Sequence, residues 1–319
     1  MVLFESYCNY IKNKWKIASF VDKLIKILFY IFIFFVIMFI GDKKMKITQF
    51  TMPGGTHNED AVYACEKFGF VIDGATGLLK ENISNMPSDA QWFSHTLKKY
   101  LIENLPNYTF SIKDIIKNAI VEIDKIYNQF KGSENVKSKP SAGIAIFRIV
   151  GDFFEYFVLG DCSLIILDNN KVKHLKLDDI SKLDSKNLNK MKAIAKEKNI
   201  NVIEARNLIN DDLVKTRLSQ NTKGSYWIIS DNTEAVDHAL CGNLPLKNIT
   251  QIVGLSDGFS QIFDKFNYCT KEELLQTLCN TSIEDIYKTL WHLQEEDKFC
   301  NKYPRFKIRD DASIFNINF

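Results

Sequence analysis

Four short acidic stretches hold the residues best suited to chemistry: Asn58-Glu59-Asp60, Asp73-Gly74-Ala75-Thr76-Gly77, Ser256-Asp257-Gly258 and Asp310-Asp311-Ala312-Ser313. Three of them sit at the end of an apolar run. Phe70-Val71-Ile72 precedes Asp73, Ile252-Val253-Gly254-Leu255 precedes Asp257, and Ile314-Phe315 follows Asp311. A carboxylate at the end of a buried strand is costly unless it is paired. Strands sharing one sheet end would bring these carboxylates together, and hard oxygen donors without His or Cys suit Mg²⁺ or Mn²⁺. Taken singly, each Asp-Gly also reads as a turn; the set of four is what points to a site. The five histidines do not cluster, and the seven cysteines are odd in number with no CxxC pair, which argues for reduced thiols and against zinc sites or a disulfide framework.

The elements that must position these acids follow from the apolar pattern. Strand-like runs cover Lys46–Phe50, Ala61–Cys65 and Phe68–Ile72, and Gly74 with Gly77 ends the third. Two helices follow, with Ser88 and Ser111 as N-caps. The second carries a one-sided stripe of Ile112, Ile115, Ile116, Ala119, Ile120, Ile123, Tyr127 and Phe130. Ala142–Ile149, Phe153–Leu159 and Ser163–Leu167, joined at Gly151-Asp152 and Gly160-Asp161, read as an antiparallel meander. Asp178–Gln220 is charged and mainly helical, an insertion or a connection over one face. Strands return at Tyr226–Ile229 and Ile252–Leu255, then helices at Thr270–Cys279 and Ile283–Gln294, then a last strand at Ala312–Ile317. Strands in sequential runs with helix pairs between them predict two antiparallel sheets flanked by helices. No GxGxxG loop in a βαβ setting is present, which disfavours a dinucleotide-binding domain.

The first 44 residues are a separate question. Ile27–Ile40 is an unbroken apolar run of 14 residues, short of the roughly 20 that span a bilayer. Extended back to Leu24, with Lys26 snorkelling, it just reaches. Residues 1–44 therefore read either as a hydrophobic segment with a membrane anchor at 24–40 or as a mis-assigned start, with Met45 the true one; a cleaved signal fits poorly because no small-x-small pair follows. A chain started at Met45 is expected to be soluble and as active as the full one. Charge is near balance, 41 bases against 39 acids, so nothing marks a nucleic-acid binder.

The span from Lys46 to Phe319 resembles the PP2C (PPM) family of metal-dependent protein phosphatases, bacterial type. Six stretches in family order carry the resemblance: NEDAVY (Asn58–Tyr63), GFVIDGATG (Gly69–Gly77), SAGIAIFRI (Ser141–Ile149), FVLGDCSL (Phe157–Leu164), GLSDGF (Gly254–Phe259) and RDDASIF (Arg309–Phe315). The resemblance implies an α+β fold, a four-layer αββα sandwich. It implies two or more Mn²⁺ or Mg²⁺ ions, with Asp73 bridging two of them and the Gly74 carbonyl as a further ligand. Asp257 and Asp310 would hold one ion, and Glu59 and Asp60 would hold the other or orient its waters. Asp161 would be structural support for its turn. The implied reaction is attack of a metal-activated water on phosphoserine or phosphothreonine in a protein, opposing a Ser/Thr kinase in the cytoplasm, or at the membrane if the anchor is real. No Cys-x5-Arg loop supports a cysteine phosphatase.

Two departures stand out. The arginine that many members carry before the first acidic pair is missing near Gly55, and Ala75 stands where many eukaryotic members have a proton-donating His. His57 and Thr76 are the residues placed to compensate. These losses keep two alternatives open: a regulatory or binding module with impaired turnover, and a phosphatase for a small phosphorylated molecule.

Overall fold

The computed structural model describes residues 23, 25–31, 45–75 and 82–319. The chain divides into two units, Met1–Lys44 and Met45–Phe319. In the first, residues 25–31 are helical with exposed side chains, and the rest of the anchor-or-start question falls outside the described residues. Among the described residues no helix is long and apolar enough to cross a membrane.

The second unit holds two five-stranded antiparallel sheets. One has the order β1 (Lys46–Met52), β10 (Ala312–Asn318), β9 (Ile249–Leu255), β6 (Ser163–Asp168), β7 (Lys171–Leu175). The other has the order β2 (Ala61–Ala64), β3 (Phe68–Ala75), β4 (Ser141–Val150), β5 (Phe153–Leu159), β8 (Leu240–Pro245). Helices α1 (Asp89–Asn104) and α2 (Ile112–Tyr127) cover the second sheet. Helices α6 (Asp257–Asp264), α7 (Lys271–Asn280) and α8 (Ile283–Glu296) cover the first. The result is the four-layer αββα sandwich.

The near-continuous apolar runs of the central strands follow from burial on both faces. On β3, Phe70 and Ile72 pack under α1 and α2, while Val71 faces the other sheet. On β10, Ala312 and Ile314 meet the α6–α8 layer, and Phe315 and Ile317 enter the space between the sheets. A one-residue slip would exchange these faces, so the register that places each strand-end acid is set by the core.

Ser111 caps α2 as expected. Its hydroxyl accepts from the Asp114 N–H at 3.1 Å, and the Asp114 carboxylate accepts from the Ser111 N–H at 3.2 Å. Ser111→Ala should cost about 1 kcal/mol of stability, read as a lower urea midpoint at unchanged slope; no change would mean that packing alone sets this helix start.

Three expectations are corrected. The expected meander breaks at Gly160-Asp161: β4 and β5 pair, but β6 belongs to the other sheet. Gly160 at φ +84° makes this crossing, and β6 buries both faces, Ile165 toward the α6–α8 layer and Leu164 and Ile166 between the sheets. Tyr226–Ile229 is not a strand. Only Ile229 pairs, with Ala142, because β5 occupies that edge of β4 from Ile144 onward. The strands β7 and β8 at the outer edges were not expected; β8 ends in Pro245, which an edge tolerates. Asp178–Gln220 is helical as read, forming α3 (Asp179–Lys198), α4 (Val202–Asn207) and α5 (Asn210–Leu218). These pack around a small core that includes Leu188, Met191, Ala205 and Ile209 and is completed by Cys300 and Phe306.

Candidate metal centre

Five carboxylates converge where the ends of the two sheets meet. Asp73 lies near the end of β3 and Asp161 in the turn that changes sheets. Asp257 opens α6 after β9, Asp310 precedes β10, and Asp184 projects from α3. All five line one cleft of about 200 Å³, with Gly74, Ala75, Lys307, Arg206 and Arg217 also on its walls. Asp60, just ahead of β2, is not among the cleft-lining residues but lies close enough to bear on the charge of Asp73.

Close backbone approach makes the convergence possible. Asp73 pairs with Gly143 across the β3–β4 ladder, and a Cβ on Gly143 would collide with the Asp161 carboxylate. Likewise a Cβ on Gly258 would collide with the Asp311 carbonyl, so only glycine lets α6 start beside the 310–311 turn. Asp311, buried, is a strut and not a wall of the cleft. Its Oδ1 accepts from the Gly54 N–H at 2.7 Å and its Oδ2 from the Glu59 N–H at 2.6 Å, which ties the 54–59 loop to the foot of β10.

The electrostatics are those of a site short of positive charge. Asp60 is 2% exposed, and neither of its carboxylate oxygens has a hydrogen-bond partner. Burial pushes its pKa well up, and Asp311 pushes it further; Ser256 and Ser313 are near enough to ease ionisation, but neither makes a geometrically sound bond. Asp73 is also pushed well above the usual range, by burial and then by Asp60, Asp257, Asp161 and Asp310. Burial, then Asp310 and Asp161, raises Asp257 to about 7. Burial raises Asp161 to about 6, and one of its buried oxygens is also unpartnered. Asp184 is raised to about 6 by burial and then by Asp257. Acids crowded and partly withdrawn from water in this way need protons or cations.

The remaining expected residues fall as follows. Glu59 is 4% exposed, and its Oε1 accepts from the Ser88 hydroxyl at 2.6 Å and faces His57 Nε2 at 3.4 Å. His57 is thus turned to Glu59 and is not among the cleft-lining residues. Gly74 and Ala75 line the cleft, while Thr76 lies outside the described residues. Asp161, expected as support for its turn, faces the cleft. One of its carboxylate oxygens, one of Asp73's and the Cys162 sulfur lie within 4.8 Å of one another. Burial pushes the Cys162 thiol well up; a thiol that stays protonated is a poor ligand, so the donor set is one of hard oxygens.

Sequence reasoning missed Asp184 and Asp311. Asp184 had a signal: Ile180, Asp184, Asn187 and Met191 share one helical face, so an acid sits within an otherwise inward stripe. Asp311 adjoins Asp310, and pattern alone does not say which of two successive acids faces the cleft.

No protein-family model matches the sequence, and a comparison with curated proteins finds no match. Solved structures do match. Stp1, a serine/threonine phosphatase from Staphylococcus aureus, aligns at TM-score 0.51 and 11% identity over 86% of this chain and 94% of that one. PppA, described as a regulatory component of T6SS in Pseudomonas aeruginosa, aligns at TM-score 0.51 and 13% identity over 86% and 97%. A bacterial serine phosphatase aligns at TM-score 0.50 and 11% identity over 86% and 97%. The fold is that of the PP2C-type serine/threonine phosphatases.

Proposed function

We propose that residues 45–319 are a metal-dependent phosphatase for phosphoserine and phosphothreonine in proteins. In this reading two or more Mn²⁺ or Mg²⁺ ions are held by Asp60, Asp73, Asp257 and Asp310, with Glu59 and the Gly74 carbonyl contributing. The observation that carries it is Asp60: a carboxylate 2% exposed, with both oxygens unpartnered, set against Asp73, Asp310 and Asp311. A native fold buries such a group only with a proton or a counter-charge. The donors are hard oxygens throughout, which fits these ions. When bound, the ions would supply an acidified water and neutralise charge on the phosphoryl oxygens.

The chain's own residues do the rest. Asp311 fixes the loop that carries Glu59 and Asp60. Ser88 and His57 orient Glu59. The Asp257 N–H, at the positive end of α6, points to Asp73 Oδ2 at 3.4 Å. The α3–α5 helices wall the cleft opposite the floor with Arg206 and Arg217, which suits an anionic substrate.

The alternative, a binding module without turnover, has one observation in its favour. Ala75 offers no proton donor, and His57 is engaged by Glu59. Metal-stripped protein should be inert toward p-nitrophenyl phosphate and a phosphothreonine peptide, and Mn²⁺ should restore hydrolysis, the peptide being cleaved with the higher kcat/KM. Mn²⁺ that binds yet restores neither activity would favour the binding module; activity on the small ester alone would favour a small phosphorylated substrate.

A further inference from the structure

Any phosphoryl dianion that enters the cleft must approach five carboxylates, Asp73, Asp161, Asp184, Asp257 and Asp310. Ions offset part of that charge, but the anion must also be held in line, and this calls for a fixed cation on the open side of the floor. Three cationic side chains line the cleft: Arg206, Arg217 and Lys307. The two arginines are on α4 and α5, in the helical wall, and Arg217 donates to Ser141 Oγ at 3.2 Å. Lys307 rises from the floor itself, with Nζ 2.7 Å from Asp310 Oδ1. Its side chain is 42% exposed and lines the cleft, so the ammonium lies within reach of an anion that enters.

The segment that carries Lys307 is built and not loose. Arg305 is buried and ion-paired to Asp297 at 2.8 Å. It also donates to the carbonyls of Gln294, Asp297, Tyr303 and Ile308, which locks the chain on the near side of Lys307. On the far side Arg309 pairs with Glu295 and lies over the Trp291 ring at 4.8 Å. A rigid backbone with a flexible four-carbon stem lets the ammonium leave Asp310 for a phosphoryl oxygen when an ion takes that carboxylate.

We infer that Lys307 is the phosphate-binding residue of this cleft, supplying from the 305–309 turn the cation that the 53–57 loop lacks. This deepens the phosphatase reading and rests on it for turnover, but not for phosphate binding. The test uses the full chain loaded with Mn²⁺, as wild type, Lys307→Met and Lys307→Arg. It measures calorimetric binding of inorganic phosphate, KM and kcat on p-nitrophenyl phosphate, and a Mn²⁺ titration. A charge-assisted contact of this kind predicts that Lys307→Met weakens phosphate binding and raises KM by roughly tenfold or more, with a smaller change in kcat. Mn²⁺ binding should be unchanged or tighter, because a neighbouring positive charge is removed, and Lys307→Arg should keep most of the affinity. Phosphate binding within twofold of wild type in Lys307→Met overturns the inference. So does a parallel loss of Mn²⁺, which would make Lys307 a mere organiser of Asp310, and so does a wild type that binds no phosphate. A wild type that binds phosphate through Lys307 but hydrolyses nothing would refute the phosphatase reading and leave this inference standing.

Discussion

Asp73→Asn should lower Mn²⁺-dependent turnover by at least about a hundredfold while raising the melting temperature of the ion-free protein. Both effects come from one charge. Asp73 is the carboxylate pressed by Asp60, Asp257, Asp161 and Asp310 together, so it is the group best placed to serve more than one ion. A factor of a hundred corresponds to about 2.7 kcal/mol of transition-state stabilisation, modest for a shared ligand. Without ions the same charge is a liability, because a half-buried acid among four others has little compensation beyond the distant Asp257 N–H. An amide of the same shape removes the repulsion, and the stability gain should be on the order of 1–3 kcal/mol near neutral pH. Steady-state kinetics, a Mn²⁺ titration and scanning calorimetry in EDTA read both effects. Activity within tenfold of wild type, or a lower melting temperature, would sink the assignment of Asp73.

The ion-free protein should be more stable at pH 5 than at pH 7.5, and Mn²⁺ should reverse that order. An unfolded Asp titrates near 3.9. In the fold, burial first and neighbouring carboxylates second push Asp161 and Asp184 up to about 6 and Asp257 to about 7. Between those limits these three acids hold more protons folded than unfolded and outweigh His174, which burial lowers to about 4 and which acts in the opposite sense, so stability falls as pH rises from about 4 to about 7. The loss should total on the order of a few kcal/mol. Ions bind the deprotonated acids, so their contribution is largest at pH 7.5, about 4 kcal/mol at a thousandfold excess over the dissociation constant, and small at pH 5. Urea unfolding at both pH values, in EDTA and in Mn²⁺, checks this, and Asp257→Asn should flatten the EDTA slope. Equal stabilisation by Mn²⁺ at both pH values would mean that it binds elsewhere.

The acids of the floor were legible because each stands at a boundary between an apolar run and a glycine or a second acid, a pattern that strand-end carboxylates leave in one dimension. The αββα layering was legible for a related reason: runs such as Phe70–Ile72 and Ile144–Phe147 are apolar on both parities, which only a doubly covered sheet explains. What was lost needs the third dimension. Whether the Gly160-Asp161 turn closes a hairpin or changes sheets depends on partners about 90 residues away, on β9. That one misreading also hid Asp161 from the cleft. The edge strands β7 and β8 escaped because their exposed parity is polar or broken by Gly242 and Pro245. The role of Lys307 was invisible because a lysine three residues before an aspartate is ordinary surface sequence until the turn that carries it is seen to be locked.

The small separate core of the α3–α5 wall bears on how such a molecule changes over generations. Leu188, Met191, Val202, Ala205, Ile209 and Leu213 pack on one another and on Cys300 and Phe306 rather than into either sheet core. Substitutions inside that cluster therefore reshape the mouth of the cleft, and through Cys300 and Phe306 the approach to Lys307, at little cost to the strand register that aligns Asp73 with Gly143. A change in the core between the sheets has the opposite reach, because it shifts several floor acids at once. Ancestry can thus rework what the protein admits many times over while the floor stays nearly fixed, and two descendants could diverge in diet long before they diverge in chemistry.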